Sequence, residues 1–420
     1  MITISEALAH VLQRTQANSP QGASLREAVS HVLAQDVTSD IDSPPHDKSL
    51  VDGYAVRAAD VNRLASGRAT EPVELVVVEE VTAGAVPEIE LTSGQATRIM
   101  TGAPLPAGAD AVVMVEETHW QEEDGTPLGV VRIDREQVEV GQHIMPRATA
   151  MRQGQQVLSA GCTLRDVEIG LLAEVGCADV MVVPRPRVAV LPTGNELVDP
   201  TVVPTAGKIR NSNGPMLLAA AERAGAWGVD LGVARDDEES LRELISQGLS
   251  ADVLLLSGGV SAGVLDLVPK VLSDLGVVEV FHKVQIKPGK PVWFGVASSS
   301  SSKASSDSPT LVFGLPGNPV SSLVCFHVFV APALAKLAGR DGASAETFSV
   351  ELAAEFEHRG PRPTYHPVRL EVDGDRRRAT PLHWHGSSDL RTLAEANGLA
   401  LFPGGDRHYS EGDTVECMHF

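Results

Sequence analysis

From residue 186 onward the chain alternates short, unbroken apolar runs with amphipathic stretches, and each run ends in a glycine-rich turn. The runs cover 188–191, 253–256 and 311–313; the helical patterns between them cover 216–223, 240–247 and 266–274. Continuous apolar runs are what strands buried on both faces require, and alternation with helices specifies a parallel sheet in a doubly wound α/β region. Ligands of such sheets bind outside the carboxyl ends of the strands. There the loops read Pro192-Thr193-Gly194-Asn195-Glu196, Ser257-Gly258-Gly259-Val260-Ser261-Ala262-Gly263 and Leu315-Pro316-Gly317-Asn318-Pro319-Val320-Ser321. Glycine admits close backbone approach, and the helix that follows offers unpaired N–H groups to an anion. Three such loops on one edge suit a phosphate-bearing ligand. Thr193, Gly194, Ser257, Gly258, Gly259, Ser261, Pro316, Gly317, Asn318 and Ser321 are the candidate contacts.

Two familiar nucleotide sites fail on residues. Gly258 and Gly263 have P-loop spacing, but Val264 and Leu265 stand where Lys and Ser/Thr are needed, and no GxGxxG follows a strand. Positive charge enters instead through Lys287-Pro288-Gly289-Lys290-Pro291, in a chain with 34 basic against 55 acidic residues and a net charge of −21. That acidity argues against nucleic acid or an anionic membrane as partner. Glu196, Asp236 and Asp266 are carboxylates near the loops, and could hold a divalent cation that bridges phosphate, as in metal-assisted phosphoryl chemistry. The basic run Arg376-Arg377-Arg378, between Asp373 and Asp375, reads as a solvated turn.

Thr3-x-x-Glu6 and Ser24-x-x-Glu27 are capping boxes, predicting two short helices. Residues 73–81, 96–100, 111–115 and 130–133 are strand-like within a small, mostly β region, followed by a helix over 166–175. After Gly339 the pattern is β again, at 368–372, 399–402 and 414–417, with a helix near 390–396. The Ser-rich segment 297–308 reads as a flexible surface loop. Four scattered cysteines, no basic leader before an apolar segment, and no run of about 20 apolar residues lead to the expectation of a cytoplasmic protein that spans no membrane. His383-Trp384-His385 would place two imidazoles on one face of a strand, more as a solvated or hydrogen-bonded pair than as metal ligands.

Ser49-Leu50-Val51-Asp52-Gly53-Tyr54-Ala55, Thr101-Gly102-Ala103-Pro104-Leu105-Pro106 and Gly108-Ala109-Asp110-Ala111-Val112-Val113 resemble successive motifs of the molybdopterin molybdenumtransferases. So do Ser257 to Ser261, Lys287 to Pro291 and Leu315 to Ser321, in order along the chain. The resemblance, which extends to the E domain of gephyrin, implies four domains. These are a discontinuous N-terminal domain (1–47 and 148–183), an inserted β domain (48–147), an α/β molybdopterin-binding domain (184–338) and a C-terminal β-barrel (339–420). It implies a homodimer whose cleft lies between the inserted domain of one subunit and the last two domains of the other. It also implies the reaction: adenylylated molybdopterin and molybdate enter, AMP and molybdenum cofactor leave, and Mg²⁺ assists. Asp52, Thr101, Glu196, Asp236, Asp266, Lys287 and Lys290 fall on the family's functional positions; Glu196 and Asp266 would be the metal ligands. A molybdopterin adenylyltransferase and recipient molybdoenzymes are the implied protein partners. Val51, Asn195 and Val264 depart from the usual residues, and the segment Tyr365-His366-Pro367 lacks the usual Arg two residues after the aromatic. Two other readings stand beside this one: molybdopterin adenylyltransferase, or a non-catalytic cofactor-binding or scaffold paralogue.

Overall fold

The computed structural model describes residues 1–62, 72–259, 267–297, 308–340, 347–374 and 376–420. Most of the Ser-rich segment at 297–308 therefore lies outside the described residues, as do Ser261, Val264 and Asp266. The chain forms two compact units, residues 1–35, 160–169 and 179–420 in one, 36–159 and 170–178 in the other.

In the first unit a six-stranded sheet runs in the order Trp227–Asp230, Arg187–Pro192, Val253–Ser257, Thr310–Leu315, Trp293–Ala297, Val277–His282. Side-chain alternation splits its core cleanly. Val188, Val190, Leu255 and Phe313 pack on one face with Leu217 and Phe329, while Ala189, Leu191, Leu254 and Leu256 pack on the other with Leu241, Ile245 and Val268. Helices thus cover both faces, as the apolar runs required. The sheet is not wholly parallel, however. Its first four strands are parallel, but Val277–His282 and Trp293–Ala297 form an antiparallel pair added to its edge. Their connection, 283–292, contains the Lys-Pro-Gly-Lys segment.

The helical run Pro319–Leu337 is, by length and composition, apolar enough to cross a membrane, contrary to the expectation that no such run exists. It is 78% buried inside the fold, as a core helix is. Cys325 on it is fully buried, and burial pushes its thiol far above the ordinary range. All four cysteines are free.

Strands Thr347–Leu352, Arg376–Pro381, Thr364–Asp373, Gly398–Phe402 and Thr414–His419 close a barrel around Leu352, Val368, Ala379, Phe402 and Val415. The basic run is thus part of a barrel strand, not a turn: Arg376 pairs with Glu351 at 3.3 Å and Arg378 with Glu411 at 2.6 Å. The ion pairs let charged side chains stand on the outside of a strand whose Ala379 faces the core.

At the N-terminus, Ile4–Arg14 is a helix with the expected capping box. The second box makes no helix. The Glu27 carboxylate accepts from the Ser24 amide and hydroxyl at 3.1 and 2.7 Å, but these bonds close only a turn after the strand Gln21–Ser24. That strand and Val32–Leu33 both pair with Asp179–Val183, so sheet formation overrides the local helix signal. His383 and His385 lie in an irregular segment, rings 4.6 Å apart, with His385 Nδ1 3.1 Å from Asp389.

The second unit is built on a sheet ordered Ala111–Met114, Gly53–Val56, Gln95–Ile99, Val73–Val81, Val130–Ile133, Thr118–Gln121. Tyr54, Val56, Leu75, Val77 and Ile133 form part of its core.

Candidate functional site

The carboxyl ends of the parallel strands open into a cleft of about 270 Å³. Of the sequence-derived candidates, Thr193, Glu196, Ser257, Gly258, Gly317 and Asn318 line it. The strand ladder continues into the loops: the Thr193 amide donates to the Ser257 carbonyl at 2.9 Å, and the Gly258 amide to the Leu315 carbonyl at 3.1 Å. Gly258 and Gly259 both turn with positive φ, at +94° and +63°, and a Cβ on either would lie 2.7 Å from the Thr193 carbonyl oxygen or Oγ1. Only glycine fits this double turn without displacing Thr193. Pro316 and Ser321 are buried beside the cleft, where the Ser322 hydroxyl ties the loop by donating to the Pro316 carbonyl.

Glu196 is exposed and folds its carboxylate back over Gly194, where a Cβ would come within 2.5 Å of Oε2. Asp236 is placed differently. Its Oδ2 accepts from the Asn195 amide at 3.0 Å, and the Asn195 Oδ1 accepts from the Asp236 amide at 3.3 Å. This reciprocal pair makes Asp236 a brace of the 194–196 loop, and it is absent from the cleft lining. Lys208 Nζ adds a 2.5 Å bond to the Asn195 carbonyl.

Lys287 and Lys290 are exposed and do not line this cleft. Their loop is pinned by the Lys287 amide donating to Pro363, and the Tyr365 amide donating to Lys287, both at 2.8 Å. Gly289 packs so closely on Cys325 that a Cβ would lie 2.5 Å from its sulfur. The two lysines are therefore presented beside the helix Pro319–Cys325, whose first residue also lines the cleft.

In the second unit, Asp52 and Thr101 meet directly. Asp52 Oδ1 accepts from the Thr101 amide at 2.7 Å and from its hydroxyl at 2.8 Å. These two bonds hold the exposed Asp52 carboxyl below the usual carboxylate range.

Sequence reasoning overlooked Asn213, which opens the helix Asn213–Arg223 and lines the cleft. It is 9% exposed, and its Nδ2 donates to Ser257 Oγ at 2.8 Å and to the Gly317 carbonyl at 2.7 Å. Asn211, Arg210 and Ser388 also line the cleft. The signal was the polar tract Arg210-Asn211-Ser212-Asn213, which resembles ordinary helix capping. Among the described residues no group of three or more His, Cys, Asp or Glu side chains is placed to hold a metal ion, His383 and His385 included.

Three family models match in succession. They are the MoeA N-terminal region (domain I and II) over residues 2–176, a probable molybdopterin-binding domain over 189–336, and the MoeA C-terminal region (domain IV) over 349–420. The molybdopterin molybdenumtransferase of Bacillus subtilis is 32% identical over 418 residues, covering 99% of this chain and 94% of the relative. That of Nostoc sp. is 36% identical over 391 residues, 92% and 86% of the two chains. Among solved structures, a molybdopterin biosynthesis MoeA protein from Pyrococcus horikosii superposes with a TM-score of 0.79 at 33% identity, covering 100% of this chain and 99% of its own. With relatives aligned along nearly its whole length, the chain belongs to the molybdopterin molybdenumtransferase family.

Proposed function

We propose that this protein transfers molybdenum from molybdate to adenylylated molybdopterin, releasing AMP and molybdenum cofactor. The observation that carries the reading is the cleft at the carboxyl ends of the strands, where Thr193, Ser257, Gly258 and Gly317 bring backbone and hydroxyl groups together. A tetrahedral dianion such as molybdate is suited to ammonium and N–H donors, so Lys287 and Lys290 are assigned to the oxyanions of the substrates. Thr193, Gly194, Gly258, Gly259, Ser261, Pro316, Gly317, Asn318 and Ser321 are assigned to cradling adenylylated molybdopterin. Asp52, oriented by Thr101, supplies a standing negative charge. Asp236 acts through the loop it braces, as a positioning residue.

Glu196 and Asp266 are assigned to Mg²⁺. Glu196 alone, among the described cleft residues, offers an exposed carboxylate. That fits an ion bound by one or two carboxylates and otherwise by substrate phosphate, and does not fit an all-protein cage. Such an ion would neutralise charge on the departing AMP phosphate. The protein is further proposed to be a cytoplasmic homodimer that receives substrate from a molybdopterin adenylyltransferase and delivers to molybdoenzymes. Light scattering of the purified chain tests the dimer; a monomeric mass at micromolar concentration would contradict it. Turnover is tested by following AMP release from adenylylated molybdopterin on addition of molybdate.

A further inference from the structure

Asn213 has an amide whose orientation is dictated by its surroundings. The Gly317 carbonyl can only accept, so the side of the amide facing it at 2.7 Å must be Nδ2. The second Nδ2 hydrogen goes to Ser257 Oγ at 2.8 Å. Both donors are thus consumed within the protein, and Oδ1 is left buried without a partner among the described residues. Thr193 Oγ1, in a residue only 3% exposed, is likewise buried and unpartnered. Both side chains line the same cleft, and both are tied to Ser257, Asn213 through its amide and Thr193 through its backbone. Buried polar atoms are almost always satisfied, so two orphans in one cleft need an explanation.

We infer that Asn213 Oδ1 and Thr193 Oγ1 read the amino–keto edge of a pterin, with Asn213 accepting from its exocyclic amine. The inference rests on the proposed function and names which end of the substrate these strand ends hold. An acceptor-only atom beside a hydroxyl that can donate or accept complements an edge carrying N–H donors next to a carbonyl. The phosphoanhydride of the substrate is fully ionised, has no hydrogen to give and would be repelled by Oδ1. Asn213 is therefore a specificity-determining residue, and the phosphate and molybdate ends belong elsewhere in the site.

The test compares binding of a 6-hydroxymethylpterin phosphate with that of the matching lumazine phosphate, in which a carbonyl replaces the amine, to the full-length protein. The wild type is expected to favour the pterin by about tenfold or more, because the lumazine leaves Oδ1 facing another acceptor. Asn213→Leu should abolish that preference. Asn213→Asp, which keeps an acceptor but can no longer donate to Ser257 and Gly317, should bind both probes more weakly while still preferring the pterin. A merely structural Asn213 would lower both affinities equally in both variants and leave the ratio unmoved, which would overturn the inference. So would a wild type that binds the two probes alike. Should the wild type release AMP from adenylylated molybdopterin yet fail this comparison, the inference falls and the proposed function survives; absence of that turnover would fail the function itself.

Discussion

The cleft of the α/β region and the Asp52 turn of the β unit solve opposite electrostatic problems. At the strand ends Thr193, Asn213 and Ser257 are buried, Asn213 holds Ser257, and Asn213 Oδ1 and Thr193 Oγ1 have no partner among the described residues. At the turn a carboxylate stands in solvent with two short hydrogen bonds on one oxygen and its charge secured. A buried orphan is costly until a ligand pairs with it, so it points to binding. An exposed, satisfied carboxylate costs little to keep, so removing its charge should leave the fold alone and affect only chemistry. On the proposed function, the contrast would separate residues that recognise from residues that act.

The largest effect is expected from Asp52→Asn. The amide oxygen can still accept from Thr101, so melting temperature should hardly change, while turnover falls by roughly 10²–10³ if the charge acts in a preorganised site. AMP release and a thermal melt on the same sample decide it; equal turnover would reduce Asp52 to a turn residue. A related variant sharpens the point. Thr101→Val keeps the amide but removes the hydroxyl, the smaller of the two donors that hold the Asp52 carboxyl low, so the acid limb of the pH–rate profile should move to higher pH. An unmoved limb would mean that the Asp52 charge does not govern the rate.

Next in size are Lys287→Ala and Lys290→Ala, each expected to weaken substrate or molybdate binding by about 1–3 kcal/mol. The loss should shrink with added salt, because both lysines are exposed. Affinity unchanged in both variants would leave the segment as the hairpin connection described above. Asp236→Ala should do less, about 0.5–1.5 kcal/mol for the bond to the Asn195 amide, and should raise KM more than it lowers kcat. A large fall in kcat alone would instead place Asp236 at the reacting atoms.

The smallest effect concerns stability, not the site. The Arg165 side chain and amide hold the Glu168 carboxyl at about 2, against an ordinary 4.5. Its folded value is the lower one, so its contribution is complete above the unfolded value and is lost as pH falls from about 4.5 towards 2. Arg165→Ala should therefore lower the melting temperature most near neutrality, and the difference from the wild type should shrink as pH falls through that window. A change of equal size at pH 7 and pH 3 would contradict the linkage.

The same contrast explains what could be read from sequence. The strands around the cleft were legible because burial on both faces leaves no polar position in Val253–Leu256, and the glycine loops followed because their turns admit no side chain. The antiparallel pair Val277–His282 and Trp293–Ala297 was not, since Lys283 to Val292 looks like a charged surface segment until the hairpin closes. Ser24 and Glu27 make the local bonds of a helix start, yet the β-branched Val32 is drawn to Val183 instead. Arg376 to Arg378 shows how a charged run can occupy a strand when each alternate residue finds an acid outside the barrel. Asn213 was invisible for another reason. Its local sequence is that of a cap, and its role depends on Ser257 and Gly317, 44 and 104 residues away.

The central claim is that the chain consumes adenylylated molybdopterin and does not merely bind or make it. The most direct measurement mixes purified protein with adenylylated molybdopterin and Mg²⁺, adds molybdate, and quantifies AMP together with molybdenum retained on the pterin. The expected result is AMP release that depends on molybdate, matched by molybdenum bound to the pterin product. Adenylylated molybdopterin recovered intact, or formed from ATP and molybdopterin by this protein, would contradict it.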